Sequence, residues 1–221
     1  MTVAAVVTAA GSGTRLGRDL PKALVTIAGT PLVAWAASSL AAVCEQVVVT
    51  APAEHLEEFR RAVSHVAARV TVVAGGATRQ QSVALGLAAV SPEADEILVH
   101  DAARAFMPVA VSGRALAALD AADGVIPVLP VVDTIVATSG GEVRYLDRSS
   151  LGGVQTPQAF RASALRDAHA RAAAGGFEGT DDGSLLAAYG YRVVTCEGDP
   201  EGRKITYAED LDHFERRWAR A

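Results

Sequence analysis

The sequence predicts an α/β fold built on a doubly wound, mostly parallel sheet, with a β-hairpin arm inserted late in the chain. Three observations predict it. Short apolar runs alternate with segments of helical period through the first half. The runs are apolar on successive residues, as expected of strands whose two faces are both covered. One stretch, about 131–150, breaks the alternation with two extended runs around Gly140 and Gly141. At 221 residues the chain suits one sizeable α/β domain and is short for two, so 1–221 reads as a single domain.

In order, residues 3–8 form the first apolar run. It is short and lacks a preceding basic region, so it reads as a buried strand and not as a secretory leader. Leu32, Ala36, Leu40 and Val43 follow at helical spacing, then the strand 47–50, then a second helical stripe of Leu56, Phe59, Val63 and Val66. Strands at 70–74, 97–100 and 125–129 continue the series. Such β-α-β order implies right-handed crossovers and a Rossmann-like sheet. The arm pairs 131–136 with 143–148 around the turn 139–142. Two strands alone are marginal in water, so the arm needs a partner surface, and a second subunit supplies one solution. A short helix at 185–189 and a stripe of Leu211, Phe214 and Trp218 complete the reading.

The hydrophobic half of the chain is mostly Ala, Val and Leu, with only 5% aromatics, which suits aliphatic strands under Ala-rich helices. A net charge of −5 argues against a general nucleic-acid or membrane-surface binder, so an anion site must be a local cluster of Arg and Lys. Cys44 and Cys196 lack Cys or His neighbours at metal-ligand spacing and read as small apolar residues of a reducing compartment. No run is long enough to span a bilayer. A soluble, cytoplasmic protein is expected.

In doubly wound sheets, ligands bind on the loops at the carboxyl ends of the strands. There the first strand runs into Ala9-Ala10-Gly11-Ser12-Gly13-Thr14-Arg15-Leu16-Gly17 and on to Lys22. Small residues let backbone N–H groups approach phosphates, with Arg15 and Lys22 supplying charge beyond them. A dinucleotide fingerprint is excluded because Leu16 stands where its last glycine belongs. A Walker A loop is excluded because Gly17 is followed by Arg18.

The stretch 9–22 resembles the signature of nucleotidyltransferases that activate sugars or alcohol phosphates. Four more stretches follow in order: Gly75-Gly76-Ala77-Thr78-Arg79-Gln80-Gln81-Ser82-Val83, His100-Asp101-Ala102-Ala103-Arg104, Gln155-Thr156-Pro157-Gln158 and Thr180-Asp181-Asp182. With Lys204 they make nearly the whole chain resemble the 2-C-methyl-D-erythritol 4-phosphate cytidylyltransferase family, which serves isoprenoid-precursor synthesis. The resemblance implies that Ala9, Ala10, Gly11 and Gly13 hold CTP, and that Gly76 and Ser82 read the cytosine with Arg79 supporting their loop. It implies catalytic roles for Arg15, Lys22 and Lys204 around the triphosphate. Asp101, Arg104 and Thr156 would lie near the acceptor, with Asp101 also near a Mg²⁺ carried by the CTP phosphates. Thr134 and Arg148 on the arm would reach the acceptor's phosphate in a neighbouring subunit, which implies a homodimer.

The reaction implied is in-line attack by the acceptor's phosphate oxygen on the α-phosphorus of CTP, with pyrophosphate leaving. Other roles suit the same residues. Asp101, Asp181 and Asp182 also suit helix caps, His100 a packed strand end, and Arg79 and Arg104 structural ion pairs. The sequence departs from the family at Ala105, where proline is usual, at Ala77, where some members carry an acid, and at Ala23-Leu24, where many have Gln and an aromatic. None of these removes a proposed charge. Competing readings are a cytidylyltransferase for another alcohol phosphate such as ribitol 5-phosphate, a transferase for hexose 1-phosphates or a molybdopterin cofactor, and a nucleotide-binding module without catalysis.

Overall fold

The computed structural model describes residues 1–11, 20–138 and 140–218. Strand β1 (Val3–Thr8) is made of small and β-branched residues, buried along its centre. A tight hairpin follows, β2 (Thr26–Ile27) and β3 (Thr30–Pro31), turned by Ala28 and Gly29 at positive φ. Pro31 leads into α1 (Leu32–Ala41). The alternation continues with β4 (Gln46–Ala51), α2 (Leu56–Ala62), β5 (Arg69–Ala74), α3 (Arg79–Ala89) and β6 (Glu96–Asp101). Next come α4 (Val109–Ala117), β7 (Gly124–Pro130) and the separate pair β8 (Ile135–Ala137) and β9 (Arg144–Leu146). The chain returns through β10 (Gly152–Val154), β11 (Gln158–Arg161), α5 (Ala162–Gly175), α6 (Asp182–Ala188), β12 (Val193–Glu197) and α7 (Ala208–Trp218).

Among the described residues the main sheet has eight strands. β5, β4, β1 and β6 are parallel neighbours in that order. β11 then enters antiparallel between β6 and β7, and β12 runs parallel to β7. The sheet is thus mostly parallel and doubly wound, as the apolar runs predict, with an antiparallel insertion at β10 and β11 that periodicity does not announce. β11 is short and begins on a polar residue, Gln158, so it reads as loop until its neighbours are known. The expected arm is present as the β8–β9 pair, shorter than the predicted 131–136 and 143–148, with Gly140 and Gly141 at positive φ in its turn. Among the described residues, no helix is long and apolar enough to cross a membrane.

Alternation along each strand divides the core. Ala5, Val7, Val47, Val49 and Leu98 pack toward α1, α2 and α4, whereas Ala4, Val6, Val48, Ile97 and Val99 pack toward α3, α5 and α6. A third, smaller core joins Ile27 and Leu32 to Ile205, Leu211 and Phe214. It pins the C-terminal segment against the start of the chain. Between β1 and β6 the winding reverses, and their register places Thr8 beside Asp101. That is the switch point at which such sheets open a crevice.

Candidate active site

A cleft of about 310 Å³ opens at the carboxyl ends of β1, β5 and β6. Its floor includes Ala9, Ala10 and Gly11, and one wall is the turn from Gly76 into α3. The turn packs tightly. A Cβ on Gly75 would stand 2.6 Å from the Ala10 Cβ, and one on Gly76 would stand 2.5 Å from the Gln81 Cβ. Glycine is therefore required where the two loops meet. The Gly76 N–H donates to Ser82 Oγ at 3.0 Å, and the Ser82 hydroxyl donates to the Thr78 carbonyl at 2.9 Å. Thr78 caps α3 by accepting from the Gln81 N–H at 3.1 Å. Ser82 lines the cleft, yet its hydroxyl is engaged in shaping the wall.

Arg79 is the first residue of α3 and Asp101 the last of β6. Arg79 Nε donates to Asp101 Oδ1 at 3.1 Å, and Thr8 Oγ1 donates to the same oxygen at 3.2 Å. Lys204 Nζ donates to Asp101 Oδ2 at 2.6 Å. Burial alone would raise the Asp101 pKa, but the charges of Arg79 and Lys204 and their hydrogen bonds hold it well below the usual carboxylate range. Burial likewise opposes the Arg79 charge, and the carboxylates of Asp182 and Asp101 override it, raising the pKa above the ordinary arginine value. The ion-pair reading of Arg79 thus describes its contacts, while it also lines the cleft.

Lys22 and Lys204 face the same cleft from opposite ends of the chain. The third core explains their meeting. Ile205 is fully buried there, worth on the order of 2–3 kcal/mol, and its N–H donates to the Ala103 carbonyl at 2.8 Å. Lys22 Nζ donates to the Ile205 carbonyl at 3.1 Å. Asp210 Oδ2 accepts from the N–H groups of Thr206 and Tyr207, at 2.8 and 2.9 Å, and its Oδ1 pairs with Arg203 at 2.7 Å. The loop carrying Lys204 is therefore fastened on both sides.

The structure brings together Ala9, Ala10, Gly11, Lys22, Gly76, Arg79, Ser82, Asp101 and Lys204. Gly13 and Arg15 lie outside the described residues. Thr156 is buried beneath the cleft, accepting from the Asp101 N–H at 3.0 Å with His100 Nδ1 also 3.0 Å from its oxygen. Arg104 is not part of the cleft lining. Its two terminal nitrogens donate to the carbonyls of Gly202 and Val154, at 2.8 and 3.0 Å. Thr134 and Arg148 belong to the exposed arm region, where Arg148 donates to the Val132 carbonyl at 2.6 Å. The acidic doublet divides its work: Asp181 caps α6 in a capping box with Ser184, while Asp182 pairs with Arg79 at 2.7 Å and His169 at 2.9 Å. The sequence reading missed His169, Thr8 and Asp210. Only the doublet itself carried a signal, since one cap needs one aspartate.

Among the described residues, no three His, Cys, Asp or Glu side chains are grouped to hold a metal ion. Asp101 offers a single carboxylate, and both of its oxygens already accept from cations. This donor set suits a Mg²⁺ held chiefly by phosphate oxygens and water, and it does not suit a cation caged by side chains.

The family model for 2-C-methyl-D-erythritol 4-phosphate cytidylyltransferase matches residues 3–216. A bifunctional IspD/IspF enzyme of Clavibacter michiganensis subsp. michiganensis is 49% identical, over 97% of this chain and 54% of that protein. The chain thus spans about half the length of that relative. A 2-C-methyl-D-erythritol 4-phosphate cytidylyltransferase of Saccharopolyspora erythraea is 44% identical over 96% of both chains. The crystal structure of the enzyme so named from Thermus thermophilus superposes with a TM-score of 0.83 at 36% identity, covering 100% of each chain. The ordered motifs, the cleft at the switch point and these likenesses agree: the chain belongs to the 2-C-methyl-D-erythritol 4-phosphate cytidylyltransferase family of CTP-dependent nucleotidyltransferases.

Proposed function

We propose that this cleft binds CTP and that the chain transfers its cytidylyl group to 2-C-methyl-D-erythritol 4-phosphate, releasing pyrophosphate. The convergence of Arg79 and Lys204 on one ionised carboxylate, in a cleft that Lys22 and a loop of small residues also line, carries the reading. Both reactants are anions, so the first task of the site is to offset their repulsion and fix the line of attack. Lys22 and Lys204 supply mobile point charges for phosphate oxygens, and Arg15, from the same first loop, would add its guanidinium. Gly11 leaves open space for the nucleotide against the backbone, and Gly76 lines the same cleft from the turn before α3. Asp101 is held ionised by two cations and serves as an anchor, not as a proton acceptor. A phosphate nucleophile is already ionised at neutral pH and needs no general base. Mg²⁺, when bound with the nucleotide, would neutralise phosphate charge further.

The arm supports a homodimer in which Thr134 and Arg148 serve the neighbouring site. Val136, Val143 and Tyr145 are exposed on it, with Tyr145 at 74%, and a lone two-stranded pair with such a surface calls for a cover. The two free cysteines suit a reducing, cytoplasmic setting. The test is pyrophosphate release with CTP and Mg²⁺ against methylerythritol phosphate, ribitol 5-phosphate and a hexose 1-phosphate. Release with the first acceptor above the others is expected. Release only with another acceptor, or none at all, overturns the assignment.

A further inference from the structure

Behind the cleft runs an unbroken line of polar contacts that the transfer reaction does not by itself require. His169 Nε2 on α5 lies 2.9 Å from Asp182 Oδ1, at the start of α6. Arg79 donates through Nη1 to Asp182 Oδ2 at 2.7 Å and through Nε to Asp101 Oδ1 at 3.1 Å. Asp101 Oδ2 then receives Lys204 at 2.6 Å. Asp182 is 1% exposed and does not line the cleft.

The geometry of Asp101 shows what this line accomplishes. Thr8 and Arg79 both donate to Oδ1, so the carboxylate is kept from turning and Oδ2 is presented to the lysine. Arg79 meets Asp101 through Nε alone: Asp182 holds Nη1 and so fixes the plane of the guanidinium, while the buried Nη2 has no hydrogen-bond partner among the described residues. A guanidinium with a single carboxylate partner favours the two-pronged arrangement, in which it takes both oxygens. Without Asp182 to hold Nη1, the guanidinium would be free to swing Nη2 onto Oδ2 and contest it with Lys204. The ammonium sits on a flexible stem that is 43% exposed, so it would leave its place easily.

We propose that Asp182, braced by His169, is a positioning residue for cytidylyl transfer: it restrains Arg79 to one oxygen of Asp101 and so keeps the other for Lys204. The inference rests on the assignment of Lys204 to the nucleotide phosphates. A merely structural carboxylate would lower stability and the active fraction, whatever stands at position 204. A positioning carboxylate acts through Lys204, so its loss costs little once that lysine is gone.

A double-mutant cycle separates these cases. In the wild-type background Asp182→Asn is expected to lower kcat/KM for CTP about tenfold or more, per folded active site. In a Lys204→Gln background the same change is expected to cost less than about twofold. Equal losses in both backgrounds, or none in the first, overturn the inference. If Asp182→Asn does not fold, His169→Gln takes its place in the cycle, with a loss of about threefold expected and the same dependence on Lys204. Wild-type turnover with an additive cycle removes the inference and leaves the function standing. No pyrophosphate from the wild type removes both.

Discussion

Lys22 illustrates how a side chain reaches its place through backbone contacts far along the chain. It follows Pro21 in a short helical turn and donates to the carbonyl of Ile205, a residue fixed by its own burial in the third core. The contact ties the first loop to the last one. In the proposed reaction its ammonium stabilises charge on the transferring phosphate, and removing one such donor costs roughly a hundred- to a thousandfold in rate. Lys22→Ala is therefore expected to lose kcat on that scale while its melting temperature stays close to wild type, because the fold here rests on Ile205 and not on the ammonium. Steady-state kinetics beside a thermal melt tests this, and near-normal turnover would remove Lys22 from the chemistry. At this scale the first loop marks Lys22 and Gly11 by their surroundings, and the family resemblance adds Gly76 and Lys204; all four line the cleft. The sequence was a poor guide to Asp182 and His169, which are separated by a loop and gain meaning only when α5, α6 and α3 pack together.

The elements divide in the same way. Long apolar runs and helical stripes yielded β1, β4, β5, β6 and β7 and helices α1, α2 and α7, since burial on both faces leaves a strong pattern. β11 and β12 were not legible, being short, mixed in polarity and stabilised by partners distant in sequence. The arm was legible through its glycines, and it stands apart from the main sheet. β8 and β9 pair only with each other among the described strands. Arg148 follows β9 and is anchored by the Val132 carbonyl, which holds its guanidinium at the base of the arm. If the arm serves a neighbouring site, Arg148→Ala raises KM for the acceptor about tenfold or more, as expected for loss of a charged hydrogen bond, with CTP affinity unchanged. Initial rates over an acceptor series, with calorimetric binding of CTP, decide it. An unaltered acceptor KM would detach the arm from catalysis.

The whole molecule couples this site to its own stability through a histidine it buries uncharged. His100 lies in β6 at 1% exposure, with the Thr156 oxygen 3.0 Å from its Nδ1, directly beneath the Asp101 anchor. Burial lowers its pKa to about 4 from an ordinary value of 6.5, although Asp101 pulls the other way. The unfolded chain therefore takes up this proton near pH 6.5, whereas the folded chain resists until about pH 4. Stability from this residue is complete above the unfolded pKa, declines as pH falls from 6.5 toward 4, and changes no further below that. The shift corresponds to about 3 kcal/mol. Asp101 and Asp182 act in a different window. Their folded pKa values are depressed, so their contribution persists above the ordinary carboxylate range and is lost only in more acid solution. Glu96, raised by burial, works in the opposite sense and offsets part of the decline as it protonates. Urea unfolding of wild type and His100→Asn at about pH 7, 6, 5 and 4.5 isolates the histidine, because asparagine keeps a polar group toward Thr156 but carries no titrating proton. Relative to the variant, wild type is expected to lose most of this stabilisation of about 3 kcal/mol across the series. Parallel curves for the two proteins would show that His100 is charged or solvated in the folded state.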